Sequence, residues 1–122
     1  MNNLNEWTAI NIMGWFIDSS NWTDYYADGK TNEFIMDCLN WNPDTDLNQA
    51  HFVANAYSES TGCEVEFTIR RREKPLCIIR NGVKSMPGIF NDNPAMAICE
   101  AIYEAEKDKF MAKPTEEQLI KI

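Results

Sequence analysis

Four cations stand within five positions at Arg70-Arg71-Arg72 and Lys74, in a chain that otherwise carries an excess of acid. Guanidinium groups grip phosphate and carboxylate bidentately, so the run reads either as a solvated turn or as an anchor for phosphate or an acidic partner surface. Trp22, Tyr25, Tyr26 and Trp41 form a second, aromatic group. Trp and Tyr anchor recognition surfaces, although burial is their commoner fate in a small domain, and both readings stand. Nucleophilic catalysis would need Cys or Ser beside a base, and the sole histidine is His51. It flanks Leu47 and Ala54 on a helical wheel, which is the place of a partly buried structural histidine. Asn42, Asp44 and Asp46 copy the first three ligand positions of an EF-hand loop. Leu47 stands where that loop needs glycine and Val53 where it needs a bidentate Glu, so helix capping is the expected use of these oxygens. Asp18, Asp24, Asp28 and Asp37 are carboxylates in an acidic chain rather than a spaced acid-base pair. None of the five glycines completes a phosphate-binding loop. No enzyme activity, cofactor or metal is expected.

The 122 residues suffice for one hydrophobic core, and 44% hydrophobic with 25% charged residues is a globular composition. A formal charge of -8 repels a phosphate backbone, which argues against direct nucleic-acid binding. The same charge suits solubility, or docking into a basic groove on a nucleic-acid-handling protein. Cys38, Cys63, Cys77 and Cys99 show no C-x-x-C spacing and sit among apolar residues, as reduced core thiols of a cytosolic protein do. The stretch Met1 to Glu6 has neither a basic n-region nor an apolar run, so neither a signal peptide nor a membrane span is expected.

The elements that must position these groups follow from spacing. Leu4, Trp7, Ile10 and Met13 fall on one face of a helix stopped near Gly14. Short runs at Trp15-Phe16-Ile17, Trp22 to Tyr26 and Glu33 to Met36 read as two or three strands, with Asp28-Gly29 as a hairpin signal. The segment Asn42 to Asp46 opens a helix that buries Leu47, Ala50, Ala54 and Tyr57 and ends between Ser58 and Gly62. Cys63, Val65, Phe67 and Ile69 alternate with Glu64, Glu66, Thr68 and Arg70, a strand with one wet face. After a turn from Arg71 to Pro75, the apolar run Leu76 to Ile79 predicts a central strand covered on both faces. Asn81-Gly82 predicts a tight turn into a further strand from Val83 to Met86, broken by Pro87-Gly88. Asn93 and Pro94 start a helix burying Ala95, Ile98, Cys99, Ile102 and Ala105. The pattern as a whole is α+β, with residues 1–112 as one domain. Residues 113–122 form a C-terminal extension with a capping box at Thr115 to Gln118, too short for a lone helix and able to dock, to fray or to pair two copies.

Three segments, Met13-Gly14-Trp15, then Trp41 to Asp46 with Ala50, then Pro94 with Ala97-Ile98-Cys99 and Ala101, together resemble the phage ABA sandwich family of small phage and prophage proteins. The resemblance spans Leu4 to Ala105. It implies a single-domain three-layer α/β/α sandwich with a central, mainly antiparallel sheet, in a phage-encoded protein of the host bacterial cytoplasm. The family has no established catalytic residues to carry over. This chain departs from the usual pattern in its extension beyond Ala105 and in its rich Trp22 to Trp41 segment. The function expected from the resemblance and the charge is non-enzymatic binding to a host protein, including one that handles nucleic acid in an anti-phage defence system, as an anti-CRISPR-like inhibitor. The candidate contacts are Trp22, Tyr25, Tyr26, Arg70, Arg71, Arg72 and Lys74. The alternatives are a small-molecule or nucleotide-signal binding protein (a sponge), with arginines on phosphate and an aromatic ring on a base, and a phage accessory or assembly protein that dimerises through the tail.

Overall fold

The computed structural model describes residues 3–19, 23–82 and 84–108. Trp22, Val83 and the expected extension 113–122, with its docking or dimerising role, lie outside the described residues. The chain is mixed α+β, with three α-helices and two antiparallel sheets among the described residues. The strands thus divide between two sheets where one central sheet was expected.

Helix α1 (Leu4–Asn11) begins on Asn3, whose side-chain oxygen accepts the backbone N–H groups of Asn5 and Glu6. That satisfies two donors a helix start leaves open. Its inner face is Leu4, Thr8 and Ala9, whereas Ile10 is 43% exposed. The expected stripe of Leu4, Trp7, Ile10 and Met13 therefore fails at Ile10. A strict three-residue spacing drifts by about 60° per step around the helix, and Thr8, four residues after Leu4, takes the inner side with a buried partner. That partner is Trp41, whose indole N–H reaches both Asn5 O at 3.0 Å and Thr8 Oγ1 at 3.2 Å. Gly14, at φ +76°, turns the chain into the first sheet.

That sheet is β1 (Trp15–Asp18), β2 (Tyr25–Asp28) and β3 (Phe34–Asp37) in simple antiparallel order. Asp28 holds the β2–β3 turn by accepting the N–H groups of Lys30 and Thr31, and Asn32 takes the left-handed conformation there at φ +62°. These backbone donors hold the Asp28 carboxyl below the ordinary carboxylate range. Gly29 donates to Gly14 O across the sheet end, so close that a Cβ at position 29 would collide with that carbonyl oxygen.

Helix α2 (Leu47–Thr61) is capped by Asp46 and ends on Gly62 in the left-handed region at φ +78°, as the sequence predicts. It buries Ala50, Val53, Ala54, Tyr57 and Thr61. The second sheet pairs β4 (Glu64–Thr68) with β5 (Leu76–Asn81). The other edge of β5 is shared by two short strands, β6 (Lys84–Ser85) at its far end and β7 (Ile89–Phe90) at its start. β7 is absent from the sequence reading because two residues after Pro87-Gly88 carry no periodicity. β5 is central, but only Cys77 and Ile79 are buried, while Leu76 and Ile78 are half-buried. The expected double cover is thus corrected to one helix-covered face. Ile69, expected in line with Phe67, falls beyond β4 and is 63% exposed.

Helix α3 (Pro94–Lys107) packs on α1, α2, β5 and β7. Ala95, Ala97, Ile98, Cys99, Ala101, Ile102 and Ala105 are all buried, so the small residues let neighbours approach on several sides. The Asn93 side-chain oxygen accepts from Ala95 and Met96 N–H, while its Nδ2 donates to Asp44 O at 2.7 Å.

Asn93→Ala loses the cap and the bond to Asp44 together and should cost about 2 kcal/mol. Asn93→Asp keeps the cap and should cost less; urea unfolding of both variants gives the comparison. Trp41→Phe leaves Asn5 O and Thr8 Oγ1 without the indole donor, with an expected loss of about 1–3 kcal/mol in the same measurement.

Candidate functional site

Alternation sorts the side chains of β1–β3, with one interruption: the register shifts between Tyr26 and Ala27, so Ile35 is skipped and packs on the core side together with Met36. Trp15, Ile17, Tyr26 and Met36 face the core. The opposite face carries two cross-strand rows. Phe16, Ala27 and Phe34 are register partners across the three strands, and so are Asp18, Tyr25 and Asp37. Phe16 is 37% and Phe34 61% exposed. Ala27 between them is buried although it lies on the outer side, as a small residue under two flanking rings would be. Tyr25 lies tilted against Phe34 with ring centroids 5.3 Å apart and donates its hydroxyl to Asp18 Oδ2 at 2.8 Å. A hydrogen-bonded Tyr beside Phe is a pre-ordered surface, which loses little side-chain freedom on binding.

Beyond β3 the chain makes a 3-10 turn (Cys38–Asn40) that lifts Leu39 to 85% exposure. Asp37 precedes the turn without its side chain capping it. A hollow of about 370 Å³ lies here, lined by Thr23, Asp24, Asp37, Cys38, Leu39 and Asn40. It is a concavity with carboxylates at its rim and a large apolar side chain beside it. Sequence position explains its charge. Residues 1–50 hold Glu6, Asp18, Asp24, Asp28, Glu33, Asp37, Asp44 and Asp46 against Lys30 alone among Lys and Arg, so seven of the eight net negative charges fall in this part of the chain.

The structure separates the residues singled out from sequence. Tyr25 belongs to the outer face. Tyr26 is corrected to a core residue, 3% exposed, with its ring 5.7 Å from Trp15. Burial, with Cys38 and Glu6 nearby, pushes its phenol up to about 12. Trp41 is likewise core, 2% exposed and edge-on to Trp15 at 4.8 Å. Arg70, Arg71, Arg72 and Lys74 come together at the exposed turn between β4 and β5, on the other sheet. Arg72 sits at φ +67° and Lys74 lies 3.9 Å from Asp92 in an exposed ion pair worth little. His51 is corrected from partly buried to exposed, with its ring against Phe67 at 5.9 Å. Sequence reasoning missed Phe16, Phe34 and Leu39. The outward parity of Phe16 and Phe34 was readable only once the strand register was known.

Asp46 caps α2 and the Asp44 backbone is bound to Asn5 and Asn93, so the EF-hand-like residues serve as helix-start fittings. Among the described residues, no three His, Cys, Asp or Glu side chains are grouped to hold a metal ion. Cys63, Cys77 and Cys99 are buried and Cys38 is half-buried, all as free thiols. Burial pushes Cys77 up to about 12; for Cys99 burial, aided by Asp44, does the same. Thiols held protonated in this way are poor nucleophiles. No helix among the described residues is long and apolar enough to cross a membrane. The chain matches no protein-family model, no curated protein and no solved structure.

In native protein at pH 8, iodoacetamide should modify Cys38 at most, and all four thiols in guanidinium, as counted by mass spectrometry. The unfolded thiols of Cys77 and Cys99 release their protons near 9 and the folded ones near 12, so unfolding releases protons in this window and stability falls as pH rises through it. The slope should be about 1.4 kcal/mol per pH unit for each such group. Cys77→Ala should flatten the decline of the unfolding free energy between pH 9 and 11.

Proposed function

We propose that this chain is a non-enzymatic protein-binding protein that docks the outer face of β1–β3 and the adjoining acidic hollow onto a basic surface of a partner. The observation that carries this reading is the coincidence of Phe16, Phe34 and Leu39, all exposed, with Asp18, Asp24 and Asp37 on the part of the chain that holds most of its net charge. Aromatic anchors supply binding energy by desolvation, and carboxylates around them steer a basic partner and fix its orientation. Tyr25, tied to Asp18, presents both kinds of contact at once.

The finer reading comes from the family resemblance: a phage-encoded protein of the bacterial cytoplasm, with the three-layer sandwich of the phage ABA family, that inhibits a host anti-phage defence protein. One helical layer of such a fold is given by α2 and α3 against β4 and β5; the second layer rests on the resemblance alone. Supporting a nucleic-acid-handling target, an acidic face complements a groove built for phosphate. Tyr26 takes no part in this docking, and the Arg70 to Lys74 turn is a solvated hairpin tip.

Tagged protein should retain one stoichiometric basic protein from a lysate of the bacterial host, with retention falling as salt is raised from 50 to 500 mM. Phe16→Ser combined with Phe34→Ser should weaken that complex by about 30-fold or more, and Asp37→Lys should slow association. Arg71→Glu with Arg72→Glu should leave it unchanged. Retention that ignores the sheet-face changes and follows the arginines would overturn the proposal.

A further inference from the structure

A second concavity lies between α1 and α3. It has a volume of about 430 Å³ and is lined by Leu4 and Trp7 of α1, by Asn91 and Asn93 of the loop before α3, and by Met96, Glu100, Tyr103 and Glu104 of α3. Its size falls in the range of about 300–1,000 Å³ usual for small-molecule sites. The two helices give it two unlike walls. Trp7 and Tyr103 stand edge to face with their centroids 5.0 Å apart, and with Leu4 and Met96 they form an apolar floor. Glu100 and Glu104 are the two charged lining groups, both negative.

The polar groups at this rim are oriented. Asn91 donates from Nδ2 to Glu100 Oε1 at 2.6 Å, and its own Oδ1 accepts the Asn93 N–H at 2.9 Å. The amide is thus used at both ends, and its effect is to hold one Glu100 oxygen in place and leave Oε2 for a donor from outside. Glu104 already shows what such a donor looks like. The Lys107 ammonium sits 3.0 Å from Glu104 Oε2 and 5.9 Å from the centroid of Tyr103. This internal ammonium uses a carboxylate and a ring face together, which is how aromatic sites recognise organic cations.

We infer that the α1–α3 cleft is a binding site for a small organic cation, an ammonium or guanidinium on an apolar body, with the charge on Glu100 and the body against Trp7 and Met96, beside the Glu104–Lys107 pair. Anions are disfavoured because the rim cation, Lys107, is already spent on Glu104, and a neutral apolar ligand would desolvate Glu100 without supplying a donor to its Oε2. The site is separate from the sheet face of β1–β3 and does not depend on its role.

The test uses three probes of one shape on the full chain: tryptamine, its neutral analogue tryptophol, and the anion indole-3-acetate. Calorimetric titration should show tryptamine binding at least about tenfold more tightly than tryptophol, with indole-3-acetate silent. In NMR spectra, tryptamine should shift the Trp7 indole N–H and leave that of Trp41 in place. Glu100→Gln keeps an oxygen for Asn91, so it should fold as the parent does while losing the preference for tryptamine over tryptophol. Phe34→Ser should bind tryptamine like the parent, which separates this site from the docking face. Absence of tryptamine binding at millimolar concentration, equal binding of all three probes, or a preference that survives in Glu100→Gln would each overturn the assignment.

Discussion

The segment from Trp41 to Asp46 is the tether on which the remainder of the structure depends. Its indole N–H is spent on α1, its ring lies against Trp15 of β1, and its Pro43 carbonyl accepts the Cys99 thiol of α3 at 3.3 Å. The Asp44 backbone takes Asn5 Oδ1 on its N–H and Asn93 Nδ2 on its carbonyl. One irregular stretch therefore joins all three helix starts and the first sheet. Irregular backbone can be buried only when its polar groups are satisfied, and here the neighbouring helix caps satisfy them. Gln49 completes the arrangement by donating to Asn40 O and accepting from Asn42 N–H.

That tether explains the asymmetry of the molecule. The second sheet is covered by α2 and α3, and its charged residues point away, with Arg80 meeting Glu66 at 2.8 Å. The three-stranded sheet is held to the body through its inner side by Trp15, Tyr26 and Trp41, while Phe16 and Phe34 on its other side are exposed. A sheet whose outer face carries Phe and Tyr among aspartates, instead of lysines and threonines, keeps its strands soluble through charge while retaining apolar area for contact. The concentration of negative charge in the first fifty residues gives this part of the chain a negative field.

Much of the fold was legible from the chain. Asn93 and Pro94, Asp46 and Gly62 all act where capping chemistry places them, because these effects depend on residues within one helical turn. Asn81 instead belongs to β5 and pairs with Lys84, so the hairpin turn begins one residue later than the Asn81-Gly82 signal placed it. The site was less legible. Tyr25 and Tyr26 are adjacent and identical in type, yet one faces outward and the other is core, and neighbours in a strand must differ in this way. The stripe through Ile10 and the line through Ile69 failed for a related reason. Periodicity marks a candidate face, but a Thr that bonds a buried indole, or a strand that ends one residue early, decides which members are covered.

What the sequence determined by itself was local: where helices begin and stop, which turns are tight, that the chain is α+β, and that four separated cysteines are thiols in apolar surroundings. Tertiary structure alone decided the partition of the strands into two sheets, the parity of the aromatic residues, and the meeting of Trp7 with Tyr103 and Glu100 with Asn91 across the α1–α3 cleft. The physical reason is range. A cap or a turn is stabilised by atoms a few residues away, whereas a sheet face or a cleft exists only after Trp41 has drawn α1, the first sheet and α3 together.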